Sequence, residues 1–251
     1  MAWSTYEFDV NGLPVVSRYR EETVEGALVP LLARLAVLRR KKGRRVVMFL
    51  AAPPATGKST LCLLLEHLSR TRVDAGLEPV ETVGIDGFHY PNAYLRSHDA
   101  VVRGCVVPMR DVKGCPETYD VHQLARAVRA LATGPAVPWP TYSRELHDVV
   151  EDGRVLDDGI VIVEGNWLLL AEEPWCSMRQ YADYTVLMRA KPELLRDRLV
   201  GRKMQGGLSR FDAEAWYESS DGPNVLRVLE DSVPGDLNLR LEADGNLVVE
   251  D

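Results

Sequence analysis

Residues 49–65 read Phe49-Leu50-Ala51-Ala52-Pro53-Pro54-Ala55-Thr56-Gly57-Lys58-Ser59-Thr60-Leu61-Cys62-Leu63-Leu64-Leu65. Val46 to Ala52 is an unbroken apolar run, the pattern of a strand buried on both faces of a parallel sheet. A turn at Pro53-Pro54 follows, then Gly57-Lys58-Ser59-Thr60, then an apolar stretch that continues as a helix. Strand, loop and helix in this order are the setting in which a Gly-Lys-Ser/Thr signature marks a phosphate-binding loop. Backbone N–H groups of the loop and of the helix start converge on one spot, where the helix dipole also favours negative charge. The nucleotide-binding residues are then Ala55, Thr56, Gly57, Lys58, Ser59 and Thr60. Lys58 reaches the β- and γ-phosphates, and Ser59 holds a magnesium ion that bridges them. The full pattern carries a glycine where this chain has Ala52, and Pro53 and Pro54 remove two amide donors from the first half of the loop. The donors of the second half, Thr56 to Thr60, all survive. A bare helix start with a hydroxyl cap is the competing reading, and it leaves the preceding strand unexplained.

The chain is 251 residues long, enough for one domain with a full core, and 1–251 reads as a single domain. Hydrophobic residues make up 46% and charged residues 27%, as in a soluble globular protein. The net charge of −7 argues against nucleic-acid partners and against an anionic membrane surface. Cys62, Cys105, Cys115 and Cys176 form no Cys-x-x-Cys pair, so they read as thiols of a reducing compartment. The first 30 residues are rich in acids and carry no apolar run, which argues against a signal peptide, and the expected setting is the cytoplasm. His67, His98, His122 and His147 have no metal-ligand spacing and read as packed or surface histidines.

Asn11-Gly12 between apolar residues predicts a small N-terminal hairpin, and Glu21 to Lys42 has helical leucine spacing with acids first and bases last. Pro30 marks the first turn of the stable part of that helix. Further strands are predicted at Pro79 to Asp86, Gly159 to Glu164 and Tyr184 to Met188, and helices at Val121 to Ala132 and Lys191 to Lys203. The stretch from Pro91 to Asp120 reads as loop-rich, Pro135 to Pro140 as extended, and Leu237 to Val249 as a closing hairpin about Asp244-Gly245. Strands alternating with helices imply an α/β fold, a mostly parallel sheet covered on both faces.

Ligands of such sheets sit at the carboxyl ends of the strands. The second predicted strand ends at Asp86 and the third at Glu164. Beside a phosphate loop, one acid can take the proton of an attacking hydroxyl while the other holds magnesium or its waters. Read alone, Asp86 is an Asp-Gly turn residue and Glu164 a helix cap.

Four ordered segments resemble a known family: Asp86-Gly87-Phe88-His89-Tyr90-Pro91-Asn92, Lys113 to Asp120, Tyr142-Ser143-Arg144, and Val163-Glu164-Gly165-Asn166-Trp167-Leu168-Leu169. They are similar to bacterial pantothenate kinase and, more broadly, to the phosphoribulokinase/uridine kinase family with its small fructose-transport-type relatives. The resemblance runs from about Val46 to Pro174. It implies a P-loop NTPase-type three-layer α/β/α fold with a small N-terminal hairpin and helix (1–42) and a helical lid (191–215). It also implies an ATP-dependent kinase acting on a small-molecule hydroxyl, with ATP and Mg2+ as cofactors. Asp86 matches the catalytic base, Lys58 and Ser59 the phosphate lysine and the metal-binding hydroxyl, and Glu164 an acid close to metal and substrate. His89, Lys113 and Tyr142 match acceptor-pocket positions. Arg144 departs from the histidine usual in pantothenate kinases and calls for an anionic or strongly polar partner. The charged helix from Lys191 is similar to the family's lid, whose arginines close over the phosphates; Arg198 and Arg202, four residues apart on one face, are its two candidates, and a solvated amphipathic helix with Glu/Arg pairs is the competing reading. Asn224, in Asp221-Gly222-Pro223-Asn224, is either a contact to base or acceptor or a turn residue after Gly-Pro. Family members are often dimers, which leaves a homodimer open.

Another class of function is a regulatory P-loop ATPase that acts through a partner without a small acceptor. A guanine-reading Asn-Lys-x-Asp motif is absent, and Gly206-Gly207-Leu208-Ser209 is in the wrong order for a transporter signature. Sugars, nucleosides and pantothenate-like alcohols all remain open as acceptors.

Overall fold

Alternating apolar residues at the start of the chain build an antiparallel hairpin, β1 (Trp3–Val10) with β2 (Leu13–Arg20). The structure is a computed structural model that describes residues 2–10, 13–72, 75–134, 136–143 and 145–250. Asn11 and Gly12, on which the hairpin was predicted, lie outside the described residues, as does Arg144. The first helix runs through α1 (Glu21–Thr23), a π-helical turn (Val24–Leu28) and α2 (Val29–Lys42). The widened turn stands just before Pro30. Proline has no N–H to give, and its ring crowds the carbonyl four residues back, so the helix widens there instead of breaking.

The main sheet has six strands in the order β12-β11-β10-β3-β9-β4. They are β3 (Val46–Ala51), β4 (Val80–Gly84), β9 (Ile160–Gly165), β10 (Tyr184–Ala190), β11 (Leu237–Leu241) and β12 (Leu247–Glu250). All neighbouring pairs are parallel except β11 with β12, which close as the hairpin expected at the C-terminal end. Every residue of β3 is buried. Val46, Met48 and Leu50 point to one core and Val47, Phe49 and Ala51 to the other, the period of two expected of a central strand. Full burial of a Phe49- or Leu50-sized side chain stabilises by about 1.5–3 kcal/mol.

One face is covered by α2, by α3 (Lys58–Thr71) and by α6 (Pro192–Gln205). The other carries α5 (Val121–Thr133), capped by the Asp120 side chain, with the segment after β9 that buries Trp167 and Trp175. This is the three-layer P-loop arrangement. Two further hairpins project from it: β5 (Asp99–Val102) with β6 (Cys105–Pro108), and β7 (Val137–Ser143) with β8 (Asp148–Leu156). The region read as loop-rich therefore holds a short helix, α4 (Asn92–Leu95), and a hairpin turning on Arg103 and Gly104, both at positive φ. The run Asp221-Gly222-Pro223-Asn224 is helical, not a turn: α7 (Arg210–Trp216) continues through a π-helical turn (Tyr217–Asp221) into α8 (Gly222–Asp231). Pro223 stands where Pro30 stands in the first helix, two residues after the widened turn. Among the described residues no helix is long and apolar enough to cross a membrane.

Candidate active site

The carboxyl end of β3 passes into the loop at Ala52, and α3 starts at Lys58. Two loop residues have left-handed backbones, Ala55 at φ 65° and Gly57 at φ 89°. The conformation costs a non-glycine residue such as Ala55 about 1–3 kcal/mol. Left-handed positions of this kind turn successive amides inward into an anion-binding concavity. The Thr56 hydroxyl donates to the Pro53 carbonyl at 2.7 Å and pins the turn.

Lys58 folds back over the loop, its Nζ donating to Asn166 Oδ1 at 2.7 Å, Ala52 O at 3.1 Å and Pro53 O at 3.2 Å. Burial pushes the Lys58 ammonium below its usual pKa, while the charges of Glu164 and Asp86 pull it back up. The Ser59 hydroxyl donates to Glu164 Oε1 at 2.8 Å, across the gap between α3 and the end of β9.

Asp86 stands two residues past β4, in a 3-10 turn (Asp86–Phe88). The Tyr119 hydroxyl donates to its Oδ1 at 3.3 Å, and burial holds that phenol well above its ordinary pKa, hence protonated. The turn is clamped from outside by β7: Trp139 Nε1 donates to Gly84 O at 2.8 Å, and a Cβ on Gly87 would fall 2.2 Å from the Pro140 carbonyl oxygen. Only glycine permits that approach.

The His89 ring centroid lies 3.8 Å from that of Tyr119, the planes tilted by 34°, and 5.8 Å from that of Tyr142, with its Nδ1 at 2.9 Å from the Asp86 carbonyl oxygen. Burial lowers its pKa, opposed by Asp86 and assisted by Lys113. Lys113 Nζ donates to Asn92 Oδ1 at 2.7 Å and His147 O at 2.8 Å and sits 5.0 Å over the Tyr142 ring. These contacts tie the Lys113 loop to α4 and to the β7–β8 hairpin.

Ser59, Asp86, Tyr142 and Glu164 line one cleft of about 300 Å³. Arg198, on α6, donates from Nη1 to the Ala55 carbonyl at 3.2 Å, and burial lowers its pKa. The Arg202 charge acts on Lys58 in the same direction as burial. Asn224 lies apart from this cleft, in the buried first turn of α8, where its Oδ1 accepts from the Cys115 thiol at 3.2 Å. Burial, then Glu117, pushes that thiol up to about 11. Three residues of this candidate site had no separate signal in the sequence. Asn166 and Tyr119 lay inside recognised segments without an assigned role, and Asp9 of the N-terminal hairpin reaches the cleft only through the fold.

No protein-family model matches the chain. An uncharacterized protein of Escherichia coli K12, YggC, is 41% identical over 240 residues, 95% of this chain and 96% of its own length. A Schizosaccharomyces pombe protein provisionally named uridine kinase C227.14 is 30% identical over 192 residues, 75% of this chain and 78% of its own. This chain belongs to the phosphoribulokinase/uridine kinase/pantothenate kinase-like family of P-loop kinases. It is a phosphotransferase. A crystal structure from Silicibacter sp. TM1040, provisionally described as a fructose transport system kinase, shares the fold of this family member at TM-score 0.72. That likeness has 28% identity and covers 84% of this chain and 98% of the other.

Proposed function

We propose that the chain transfers the γ-phosphoryl group of ATP to a hydroxyl of a small molecule, with Asp86 as the base. The observation that carries this reading is that Asp86 and the hydrogen-bonded Ser59–Glu164 pair line one cleft at the mouth of the phosphate loop. ATP is the substrate of the loop: the amides of residues 55–60 cradle its phosphates, and Lys58 leaves its loop carbonyls to meet the transferred group. The donor set fits magnesium, which takes one or two protein oxygens and otherwise phosphate and water oxygens, and Ser59 and Glu164 would hold it. Bound there, it neutralises charge on the β- and γ-phosphates.

Tyr119 fixes one oxygen of Asp86 by donating to it, and the carboxylate receives the proton of the acceptor hydroxyl. His89, Lys113 and Tyr142 border the acceptor, and α6 acts as the lid that brings Arg198 and Arg202 to the phosphates. Sugars, nucleosides and pantothenate-like alcohols are the acceptor classes, taken in by the protein as one P-loop kinase domain of the cytoplasm. Mass spectrometry of reactions containing ATP, Mg2+ and one acceptor from each class tests the reading. A product heavier by one phosphoryl group supports it; ADP formed with every acceptor left unmodified contradicts it.

A further inference from the structure

Two buried polar residues stand three positions apart on α8, Asn224 and Arg227, each 7% exposed. Both reach the segment that supplies Lys113 and Tyr119. Asn224 Oδ1 accepts from the Cys115 thiol at 3.2 Å, and Arg227 Nη1 donates to Glu117 Oε1 at 2.8 Å. The rest of the guanidinium faces the stretch after β9, Nε and Nη2 donating to the two oxygens of Glu172 at 3.2 and 2.6 Å. Backbone fastens that stretch to the end of α8: the Ala171 amide donates to Asp231 O and the Val233 amide to Leu169 O, both at 2.8 Å. Burial by itself would lower the Arg227 pKa, but its hydrogen bonds to Glu172 and Glu117 and their charges outweigh it and keep the guanidinium charged. Glu117 sits in the 3-10 turn Pro116–Thr118, two residues before Tyr119. Its Oε2 is buried and accepts no hydrogen bond among the described residues, so this carboxylate depends on Arg227. On either side of Tyr119 the backbone is gripped, the Tyr90 amide donating to Thr118 O at 3.0 Å and the Asp120 amide to Phe88 O at 2.8 Å.

We infer that Arg227 is a positioning residue for phosphoryl transfer: through Glu117 it sets the Pro116–Thr118 turn, and with it the Tyr119 hydroxyl, against Asp86. The inference rests on the kinase reading, in which Asp86 is the base. A buried ion pair is a poor way to fill space, because the desolvation of its charges is offset only by good geometry, and an apolar side chain of that volume packs a helix as well. What the planar fork adds is direction. One guanidinium holds a loop carboxylate and a scaffold carboxylate at fixed angles, so the turn cannot slide along α8. The contact at the far end of this chain is sensitive to such sliding. The Tyr119 hydroxyl meets Asp86 Oδ1 at 3.3 Å, the long end of a hydrogen bond, where a small further displacement loses it.

The test uses the full chain, with ADP release in the presence of fructose, uridine or pantothenate and the melting temperature read on the same samples. Glu117→Ala leaves Arg227 paired with Glu172, so the fold keeps a compensated guanidinium. It is expected to lower kcat about three- to tenfold, the loss of one donor to Asp86, with KM for ATP within about twofold of the parent. Added to Tyr119→Phe, it lowers kcat no further than Tyr119→Phe alone, because both remove the same contact. Arg227→Met gives the same kcat and the same non-additivity with a lower melting temperature; if it does not fold, Glu117→Ala decides. Asp183→Ala, just ahead of β10 and outside the cleft, is the stability control, expected to lower the melting temperature while kcat stays within about twofold. An unmoved kcat in Glu117→Ala, or losses that multiply independently with Tyr119→Phe, overturns the inference, makes Arg227 a packing residue and leaves the kinase reading standing. ADP release indifferent to every acceptor overturns both.

Discussion

The Ser59 hydroxyl donates to Glu164 Oε1 at 2.8 Å and thereby joins the first turn of α3 to the end of β9. Glu164 is the second-last residue of β9, opposite Leu50 of β3 in the parallel register, and the loop that leaves β3 brings Ser59 of α3 back over it. A metal-bridged nucleotide would use both groups. Glu164→Gln keeps the shape and removes the charge, and Ser59→Ala removes the hydroxyl. Each is expected to raise the Mg2+ concentration for half-maximal activity at least tenfold, read from a magnesium titration at fixed ATP.

Tyr119 donates to Asp86 at 3.3 Å, and its ring is held between His89 and Trp175. Tyr119→Phe preserves that packing and deletes only the donor. The expected outcome is a kcat lower by about three- to tenfold with KM for ATP and melting temperature unchanged. A purely structural tyrosine would move the melting temperature instead.

Gly87 has no room for a side chain, because its Cβ would meet the Pro140 carbonyl at 2.2 Å. The obstacle is backbone, so Gly87→Ala has to push β7 away from the Asp86 turn. A loss of about 1–3 kcal/mol is expected, seen as a melting temperature lower by about 2–4 °C per kcal/mol. Activity falls further than stability, since Asp86 moves with the turn.

Asp183 secures the opposite end of the sheet. Its side chain is 3% exposed, accepts from the Val47 amide at 3.0 Å and pairs with Arg44 at 2.8 Å and with Lys42. Burial by itself would raise its pKa, but these hydrogen bonds and charges outweigh burial and hold it below the usual carboxylate value. A depressed carboxylate stabilises the fold above its unfolded pKa of about 4, and that contribution is lost as pH falls through the folded value. Asp183→Ala leaves the Val47 amide unpaired and is expected to cost about 1–3 kcal/mol at neutral pH by urea denaturation, with the gap to the parent narrowing below about pH 4.

The phosphate loop and Glu164 were legible because the first follows, and the second nearly ends, a buried apolar strand; Asp86 stands two residues past β4, a half-buried edge strand, and was legible through its Asp-Gly-Phe-His segment. The two projecting hairpins were harder. β5–β6 exposes Val101 and Val106, at 62% and 71%, so its alternation does not point to a core. β8 reads Asp-Val-Val-Glu-Asp-Gly-Arg-Val-Leu, poor in strand formers on one face, and pairs with β7 through a register shift between Trp139 and Thr141. Pro223 suggested a turn because a proline inside a helix normally ends it; the π-helical turn ahead of it accommodates the ring instead. Asn166 on Lys58 and Asp9 at the cleft depend on contacts 108 residues or more apart or on the docking of one hairpin, and no local pattern encodes either.

The central claim is that Asp86 takes the proton of an acceptor hydroxyl. Its most direct test is acceptor-dependent ADP release by the parent protein and by Asp86→Asn, with ATP and Mg2+ saturating. The account predicts release that requires the acceptor and falls at least a hundredfold in the variant, with ATP binding retained. Release that persists in Asp86→Asn at the parent rate would contradict it.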